Sequence, residues 1–138
     1  MTDGDDGVAC VGGLVYDGDG RLLLIRRSNE PGRGLWSIPG GRVETGETDA
    51  EAVIREMAEE TGLTVVPGAL IGRVRRGRYV IADYHCTVVD GDLRAGDDAS
   101  DARWCSAADL AALPLVDELI ETLRGWGALP PETLPDQT

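Results

Sequence analysis

Residues 40–63 read GGRVETGETDAEAVIREMAEETGL, and the fold that we expect is built around this stretch. Its second half carries the start and stop signals of an amphipathic helix: Thr48 is a candidate N-cap, acids follow in the first turn, and Gly62 marks the end. The apolar positions of this segment are Ala50, Val53, Ile54 and Met57. The sequence therefore predicts a helix that runs from Thr48 to Thr61 and packs on its apolar side.

The same helix carries three glutamates, Glu56, Glu59 and Glu60, in one sector of its surface, because residues three and four apart are neighbours on a helix. Like charges at this spacing repel one another, and a divalent cation that prefers oxygen ligands would offset the cost. Gly40 and Gly41 stand shortly before the helix and let the backbone approach whatever the acids bind. The alternative is a solvated acidic face with no ligand.

The flanking sequence predicts strands and two further helices. Apolar runs over 8–16 and 21–26 surround a turn, which is typical of a hairpin. Beyond the central helix the predicted elements are strands over 63–75, 78–89 and 103–105, a short helix over 106–113 and a final helix over 117–126. One long helix among more numerous strands indicates an α+β class or a three-layer arrangement with a mixed sheet.

The stretch quoted above resembles the signature of the Nudix hydrolases. The positions that carry the resemblance are Gly41, Glu47, Arg55, Glu56, Met57, Glu59, Glu60, Gly62 and Leu63. The surroundings are also similar to the family, through Arg26-Arg27 before the motif, residues 36–41 leading into it, and Arg103-Trp104 after it.

The resemblance implies an α/β/α sandwich, with a mixed sheet and a central catalytic helix. It implies a single domain over residues 7–129. The polar or Pro-rich tails, 1–6 and 130–138, are expected to be disordered.

The resemblance also implies a cofactor and its ligands. Glu56, Glu59 and Glu60, helped by the backbone carbonyl of Gly40, would bind Mg²⁺, with Mn²⁺ as a substitute. Such a cation lowers the pKa of bound water and neutralises phosphate charge. Glu56 is the first choice for the catalytic base. If a later acid does this work or adds a ligand, the available ones are Asp97, Asp98 and Asp101. Asp101, near Arg103-Trp104, is the preferred candidate, and a solvated acidic loop is the alternative for it.

Two residues of the motif are expected to orient the site rather than to transfer protons. Glu47 lies too far before Arg55 to be a first-turn partner, but the loop can fold back to form an ion pair. The planar guanidinium of arginine matches a carboxylate through two parallel hydrogen bonds. We therefore place both residues in the catalytic machinery as positioning groups.

Candidates for substrate binding lie outside the motif. Arg26 and Arg27 end a predicted strand, and alternation allows only one of them to point into the cleft. Trp36 and Tyr79 are candidates for stacking on a base, with packing as the alternative for Trp36. The arginines at 73, 75, 76 and 78 form a basic cluster that either meets phosphates or is a charged hairpin tip.

The charge balance limits the partners. With 13 basic and 25 acidic residues the net charge is -12, which argues against binding to nucleic acid or to an anionic membrane surface. Three cysteines without metal-site spacing are expected to be reduced thiols, and the acidic N-terminus does not resemble a signal peptide. We expect a cytoplasmic protein with a small nucleotide-type substrate, and a homodimer is common in the family.

The expected activity is Mg²⁺-dependent hydrolysis of the diphosphate link in a nucleoside diphosphate derivative, with ADP-ribose or a related compound favoured. Two alternatives stay open. One is a pyrophosphatase that removes unwanted nucleoside triphosphates, and the other is a Nudix-fold module that binds a nucleotide as a sensor without turnover. The three intact helix acids favour an enzyme.

Overall fold

The computed structural model describes residues 7–96 and 98–132. These ranges contain seven strands and three helices. In chain order the elements are β1 Val8–Leu14, β2 Leu22–Arg27, β3 Trp36–Ser37, β4 Gly40–Arg42, α1 Asp49–Thr61, β5 Leu63–Arg76, β6 Tyr79–Gly91, β7 Ala99–Cys105, α2 Ala107–Ala112 and α3 Leu119–Trp126.

The central helix has the predicted ends. The Thr48 side chain accepts a hydrogen bond from the backbone N–H of Glu51, whose own side chain accepts one from Thr48 N–H. Gly62 closes the helix in the left-handed conformation at φ 76°. The buried face differs from the prediction, because Ile54 is 41% exposed and Ala50 is also exposed. The predicted Val53 and Met57 are buried, Ala52 is buried with them, and the buried face continues into Glu60 and Thr61.

The strands form two sheets. One has the order β4-β1-β6-β5, and the other has the order β3-β2-β7. The pair β1–β6 is parallel and the other pairs are antiparallel, so the prediction of a mixed sheet is confirmed. The expected hairpin of β5 and β6 forms around Gly77 at φ 59°.

The predicted hairpin of the first two strands forms only at its turn, and the predicted pairing of the strands beyond the turn is wrong. Asp17 organises that turn by accepting from Arg21 Nε at 2.7 Å, and Tyr16 bridges to Leu22. The strands then separate, because β1 takes β4 and β6 as partners while β2 joins β3 and β7. The local turn was readable from the sequence, whereas the pairing depends on distant strands.

Two apolar cores give the α/β/α layering. The first joins Val53 and Met57 of α1 to Val11 of β1, Leu23 of β2 and Val65 of β5. The second lies on the other side of the sheets and is built with α2 and α3. Its buried members are Leu14, Leu22, Leu24, Trp36, Cys105, Leu110, Leu119 and Leu123. The predicted α+β sandwich is therefore observed.

The later elements shift slightly from their predicted bounds. Strand β7 begins earlier than predicted, at Ala99, and α3 begins at Leu119 after Glu118 adopts φ 67°. The capping pair Ser106–Asp109 forms at the start of α2. Pro130 is buried, so packing extends past the expected boundary at 129. The tail predictions for 1–6 and for 133–138 fall outside the described residues.

The cysteines are free thiols, as expected. Cys86 and Cys105 are buried, and Cys10 is half-buried. Burial raises the pKa of Cys86 and of Cys105 to about 11, which keeps both thiols protonated at neutral pH. Among the helices of the described residues, none combines the length and the apolarity that crossing a membrane requires.

Candidate active site

A cavity of about 830 Å³ opens beside α1 and extends between the sheets toward α3. Glu56 and Glu60 line it from the helix, and Gly40 and Gly41 line it from β4. Its apolar lining includes Ile25, Ile38, Ile81, Leu119 and Trp126. A concave, largely apolar site with a few polar groups is the usual form of a small-molecule pocket.

Arg55 organises the acids around it. Its Nε donates to Glu47 Oε2 at 2.6 Å and its Nη2 donates to Glu47 Oε1 at 3.0 Å, so the expected two-point ion pair forms. Its Nη1 donates to Glu56 Oε2 at 3.1 Å and to Glu59 Oε1 at 3.3 Å. The guanidinium also donates to the carbonyl of Arg42 at 3.0 Å, which ties β4 to the helix.

The Arg55 contact changes the acidity of its partner. Hydrogen bonding from Arg55 lowers the pKa of Glu47 to about 2, and the pKa of Arg55 is raised in turn. Glu47 therefore stays ionised over the range in which most proteins work. This supports a positioning role for the pair rather than proton transfer.

Glu60 is the most buried of the three helix acids, with 6% of the residue exposed. Its Oε1 accepts from the backbone N–H of Gly40 at 2.9 Å. Burial raises the pKa of Glu60 to about 7, and this hydrogen bond opposes the rise. A carboxylate held in such a place is costly to ionise without a cation nearby.

Glu56 lies against the backbone of Gly41. A side chain on Gly41 would collide with the Glu56 carboxylate, with the carboxyl carbon only 2.6 Å from the position of a Cβ. This close approach requires glycine at that position of the motif. Burial raises the pKa of Glu56, and the contact with Arg55 opposes that rise.

The three acids are not arranged alike. Glu56 and Glu60 face the cavity, whereas the side chain of Glu59 is 43% exposed and contacts Arg55. Among the described residues no group of three ligand side chains already surrounds a single point. The donors themselves, carboxylates with raised pKa and a nearby backbone carbonyl, fit the chemistry of a hard divalent cation.

Of the residues predicted to bind substrate, two line the cavity and two do not. Arg27 and Tyr79 line the cavity, and Arg42 lies over the Tyr79 ring with its guanidinium carbon 5.7 Å from the centroid. Arg26 is exposed and donates to Ser100 Oγ at 2.8 Å. Trp36 is 4% exposed in the second core. Its burial favours the packing alternative over base stacking.

The acids that follow the motif also differ in whether they reach the cavity. Asp101 is exposed on β7 and accepts from the adjacent backbone N–H of Ala102 at 2.8 Å. Asp98 lines the cavity and accepts from Asn29 Nδ2 at 3.0 Å. Its charge also acts to raise the pKa of Glu56 and of Glu60. The structure thus brings Asp98, rather than the preferred Asp101, to the site.

Several cavity residues were not predicted from the motif. Asp83 and Ser37 face the cavity from strands, and Trp126 reaches it from α3. Arg76 also lines the cavity and donates to Glu118 Oε1 at 3.0 Å, so one member of the basic cluster reaches the site. An acid inside an otherwise apolar strand, as in the segment VIADY, was the one signal available for Asp83.

Comparison with known proteins gives the family. The family model described as NUDIX domain matches residues 8–125. The chain belongs to the Nudix family. As a Nudix hydrolase it is an enzyme that acts on pyrophosphate bonds.

Individual relatives support this assignment. The Nudix chain is 40% identical over 119 residues to "ADP-ribose pyrophosphatase" of Methanocaldococcus jannaschii, covering 81% of this chain and 70% of that protein. It is 30% identical over 120 residues to "CTP pyrophosphohydrolase" of Escherichia coli, covering 83% and 88% respectively. Two further curated relatives are longer, and the chain spans 35% and 59% of their lengths.

The Nudix fold is also seen in a solved relative. The structure of a MutT protein from Methanosarcina mazei matches with a TM-score of 0.81 at 26% identity, covering 91% of this chain and 96% of that one.

Proposed function

We propose that this Nudix hydrolase is a Mg²⁺-dependent enzyme that cleaves the diphosphate link of a nucleoside diphosphate derivative, with ADP-ribose or a related compound favoured. One observation carries the proposal. Two largely buried carboxylates, Glu56 and Glu60, face an 830 Å³ cavity beside the Arg55–Glu47 pair. The size suits a nucleotide derivative, and the acids suit a cation-assisted attack by water.

The cation would be held by Glu56, Glu59, Glu60 and the carbonyl of Gly40, with Mn²⁺ able to replace Mg²⁺. When bound, such a cation activates water and offsets phosphate charge. Arg55 orients Glu56 and Glu59, and Glu47 holds Arg55 in place.

The other residues of the site have distinct proposed roles. Arg27 and Tyr79 line the cavity and are candidates for phosphate and base contacts. Glu56 is the proposed base, because it lies in the cavity with a raised pKa. Asp98 is the second candidate in place of Asp101. Arg26, Trp36 and Asp101 have no such support, because their side chains are engaged or exposed elsewhere.

The substrate preference rests on similarity. The relative that is 40% identical over most of its length carries the name ADP-ribose pyrophosphatase. The triphosphate alternative keeps specific support, because the CTP pyrophosphohydrolase relative is matched over 88% of its length. A cytoplasmic location, the absence of nucleic-acid partners and a homodimer stay predictions from the sequence.

A substrate panel tests this proposal. The purified protein is incubated with ADP-ribose, other nucleotide sugars, dinucleotides and nucleoside triphosphates, with Mg²⁺, with Mn²⁺ or with chelator, and the products are identified. We expect metal-dependent release of AMP from ADP-ribose. The Glu59→Gln/Glu60→Gln double variant should lose turnover and keep its fold, whereas Glu121→Gln on α3 should behave as wild type.

The panel separates the alternatives. Pyrophosphate release from triphosphates, without ADP-ribose cleavage, would select the second activity. Full Mg²⁺-dependent turnover in the double variant would overturn the metal assignment. Nucleotide binding without turnover of any compound would favour the sensor module.

A further inference from the structure

Asp83 is an ionisable residue inside the cavity that the catalytic proposal does not use. It lies on β6 with 6% of the residue exposed, and it lines the cavity. Its Oδ1 has no hydrogen-bond partner within residues 7–96 and 98–132. A buried carboxylate oxygen without a donor is destabilising, so its presence calls for a reason.

The strand register explains how the carboxylate fits there. Asp83 pairs with Gly12 of the parallel neighbour β1. A Cβ on Gly12 would collide with Asp83 Oδ1, so the carboxylate lies over the bare backbone of this glycine. Side chains on β6 alternate, which sends Tyr84 to α1 and Asp83 to the opposite, cavity side.

A second unpartnered group lines the same cavity. Ser37 Oγ on β3 is buried, with the residue 8% exposed, and it has no hydrogen-bond partner in the described part of the chain. Burial raises the pKa of Asp83, and the positive charge of Arg76 opposes that rise. The guanidinium itself donates hydrogen bonds elsewhere, to Glu118 Oε1 at 3.0 Å and to Thr122 Oγ1 at 3.2 Å. The protein thus leaves an acceptor and a hydroxyl free to meet a ligand.

The cavity also offers an aromatic surface. Trp126 of α3 lines it and packs over Gly72 of β5, where a Cβ would collide with the indole. Gly72 pairs with Asp83 in the β5–β6 register, so the indole lies near the unpartnered carboxylate. An indole ring beside such a group suits a flat heteroaromatic ligand with hydrogen-bonding edges. Within the proposed substrate, the nucleobase has this chemistry.

We propose that Asp83, supported by Ser37, accepts a hydrogen bond from the exocyclic amino group of the substrate's nucleobase and makes the enzyme selective for amino-bearing bases. This inference rests on the proposed function, because it takes the cavity as the nucleotide site.

The chemistry gives a sharp selectivity. Adenine and cytosine each carry an exocyclic amino group that donates, whereas hypoxanthine and uracil carry a carbonyl oxygen at the same ring position. A carbonyl facing Asp83 leaves two acceptors opposed and both without a donor. The expected preference for the amino-bearing base of a matched pair is on the order of tenfold to a hundredfold.

Binding of nucleoside monophosphates tests the inference without requiring turnover. AMP is compared with IMP, and CMP with UMP, by titration calorimetry of the full chain. Wild type should bind the amino-bearing member of each pair at least about tenfold more tightly. Asp83→Asn adds an amide donor that can serve a carbonyl oxygen, so it should abolish or reverse both ratios.

Two variants complete the design. Ser37→Ala should reduce the affinity for AMP, but the protein should still prefer AMP to IMP because Asp83 is retained. Asp92→Asn makes the same change at an exposed acid that does not line the cavity, and it should leave both ratios at the wild-type value.

The outcomes separate this inference from the catalytic proposal. Equal affinities of wild type within both pairs, no detectable binding of any monophosphate, or unchanged ratios in Asp83→Asn would overturn the inference. Discrimination that is present and lost in Asp83→Asn supports it. If the same protein hydrolyses nothing in the substrate panel, only the catalytic proposal fails.

Discussion

Arg55 holds Glu47 through two parallel hydrogen bonds, from Nε to Oε2 at 2.6 Å and from Nη2 to Oε1 at 3.0 Å. The same guanidinium reaches Glu56 and Glu59 on its own helix and the carbonyl of Arg42 on β4. One side chain therefore links the loop, the strand and the helix acids. The position of those acids depends on this link.

Arg55→Lys should lower activity while keeping the fold. Lysine keeps the charge but lacks the planar group that serves Glu47 and the helix acids together. We expect kcat to fall by about tenfold to a hundredfold, because small displacements of catalytic groups have costs of this order. Steady-state kinetics and circular dichroism measure the two effects, with Arg124→Lys on α3 as the control. Wild-type kcat in Arg55→Lys would show that the geometry of this group is unimportant.

The Glu47–Arg55 pair should give a defined pH dependence of stability. The folded pKa of Glu47, about 2, lies below its ordinary value of 4.5. Its contribution is therefore complete above pH 4.5 and is lost as the pH falls toward 2. Urea unfolding of wild type and Glu47→Gln from pH 2.5 to 7 should give a constant stability difference above pH 5 that shrinks below 4.5. A difference that stays constant over the whole range would contradict the low pKa.

Gly41→Ala tests the contact between β4 and the catalytic helix. Its Cβ would enter the space of the Glu56 carboxylate, so the acid must move out of place. We expect kcat/KM to fall by about a hundredfold, the size typical of misplaced catalytic groups, with only a small change in Tm. Gly18→Ala is the matched control, because a Cβ there meets nothing within 4 Å. Equal activities of the two variants would mean that Glu56 needs no fixed position.

Local signals predicted the central helix and the pairing of Arg55 with Glu47. The Thr48 cap and the Gly62 stop act within a turn of the helix, so residue types alone reveal them. The two-point ion pair followed from the motif and from the planar geometry of arginine.

The pairing of strands that are distant in the sequence could not be predicted from local patterns. The strands beside the turn at Asp17 were predicted to form a hairpin, but β1 pairs with β4 and β6 rather than with β2. Trp36 was a candidate for base stacking with packing as the alternative, and β3 places it in the second core. Asp83 reaches the cavity because β6 pairs in parallel with β1 beside Gly12, a register that no local pattern encodes.

Asp83→Asn should raise stability at neutral pH in a way that depends on pH. Burial raises the pKa of Asp83 from 3.8 to about 6, and the charge of Arg76 opposes the rise. Below pH 3.8 the acid is protonated in both states and has no cost, whereas above pH 6 the folded protein must hold the buried charge. Removing that charge should therefore add up to roughly 3 kcal/mol to the free energy of unfolding at pH 8 and nothing near pH 3.5.

Denaturant unfolding of Asp83→Asn, wild type and Asp117→Asn at several values of pH measures this effect. The decisive quantity is the growth of the Asp83→Asn minus wild-type difference between pH 4 and 7, because a constant packing effect of the amide cancels from it. The exposed Asp117 control should show no such growth. If the Asp83→Asn difference is flat with pH, the carboxylate has no ionisation cost in the fold, and the stability argument for a ligand-binding role of Asp83 is lost. If the stability difference rises with pH and Asp83→Asn also loses the preference for amino-bearing bases, Asp83 lowers the stability of the protein and serves base recognition.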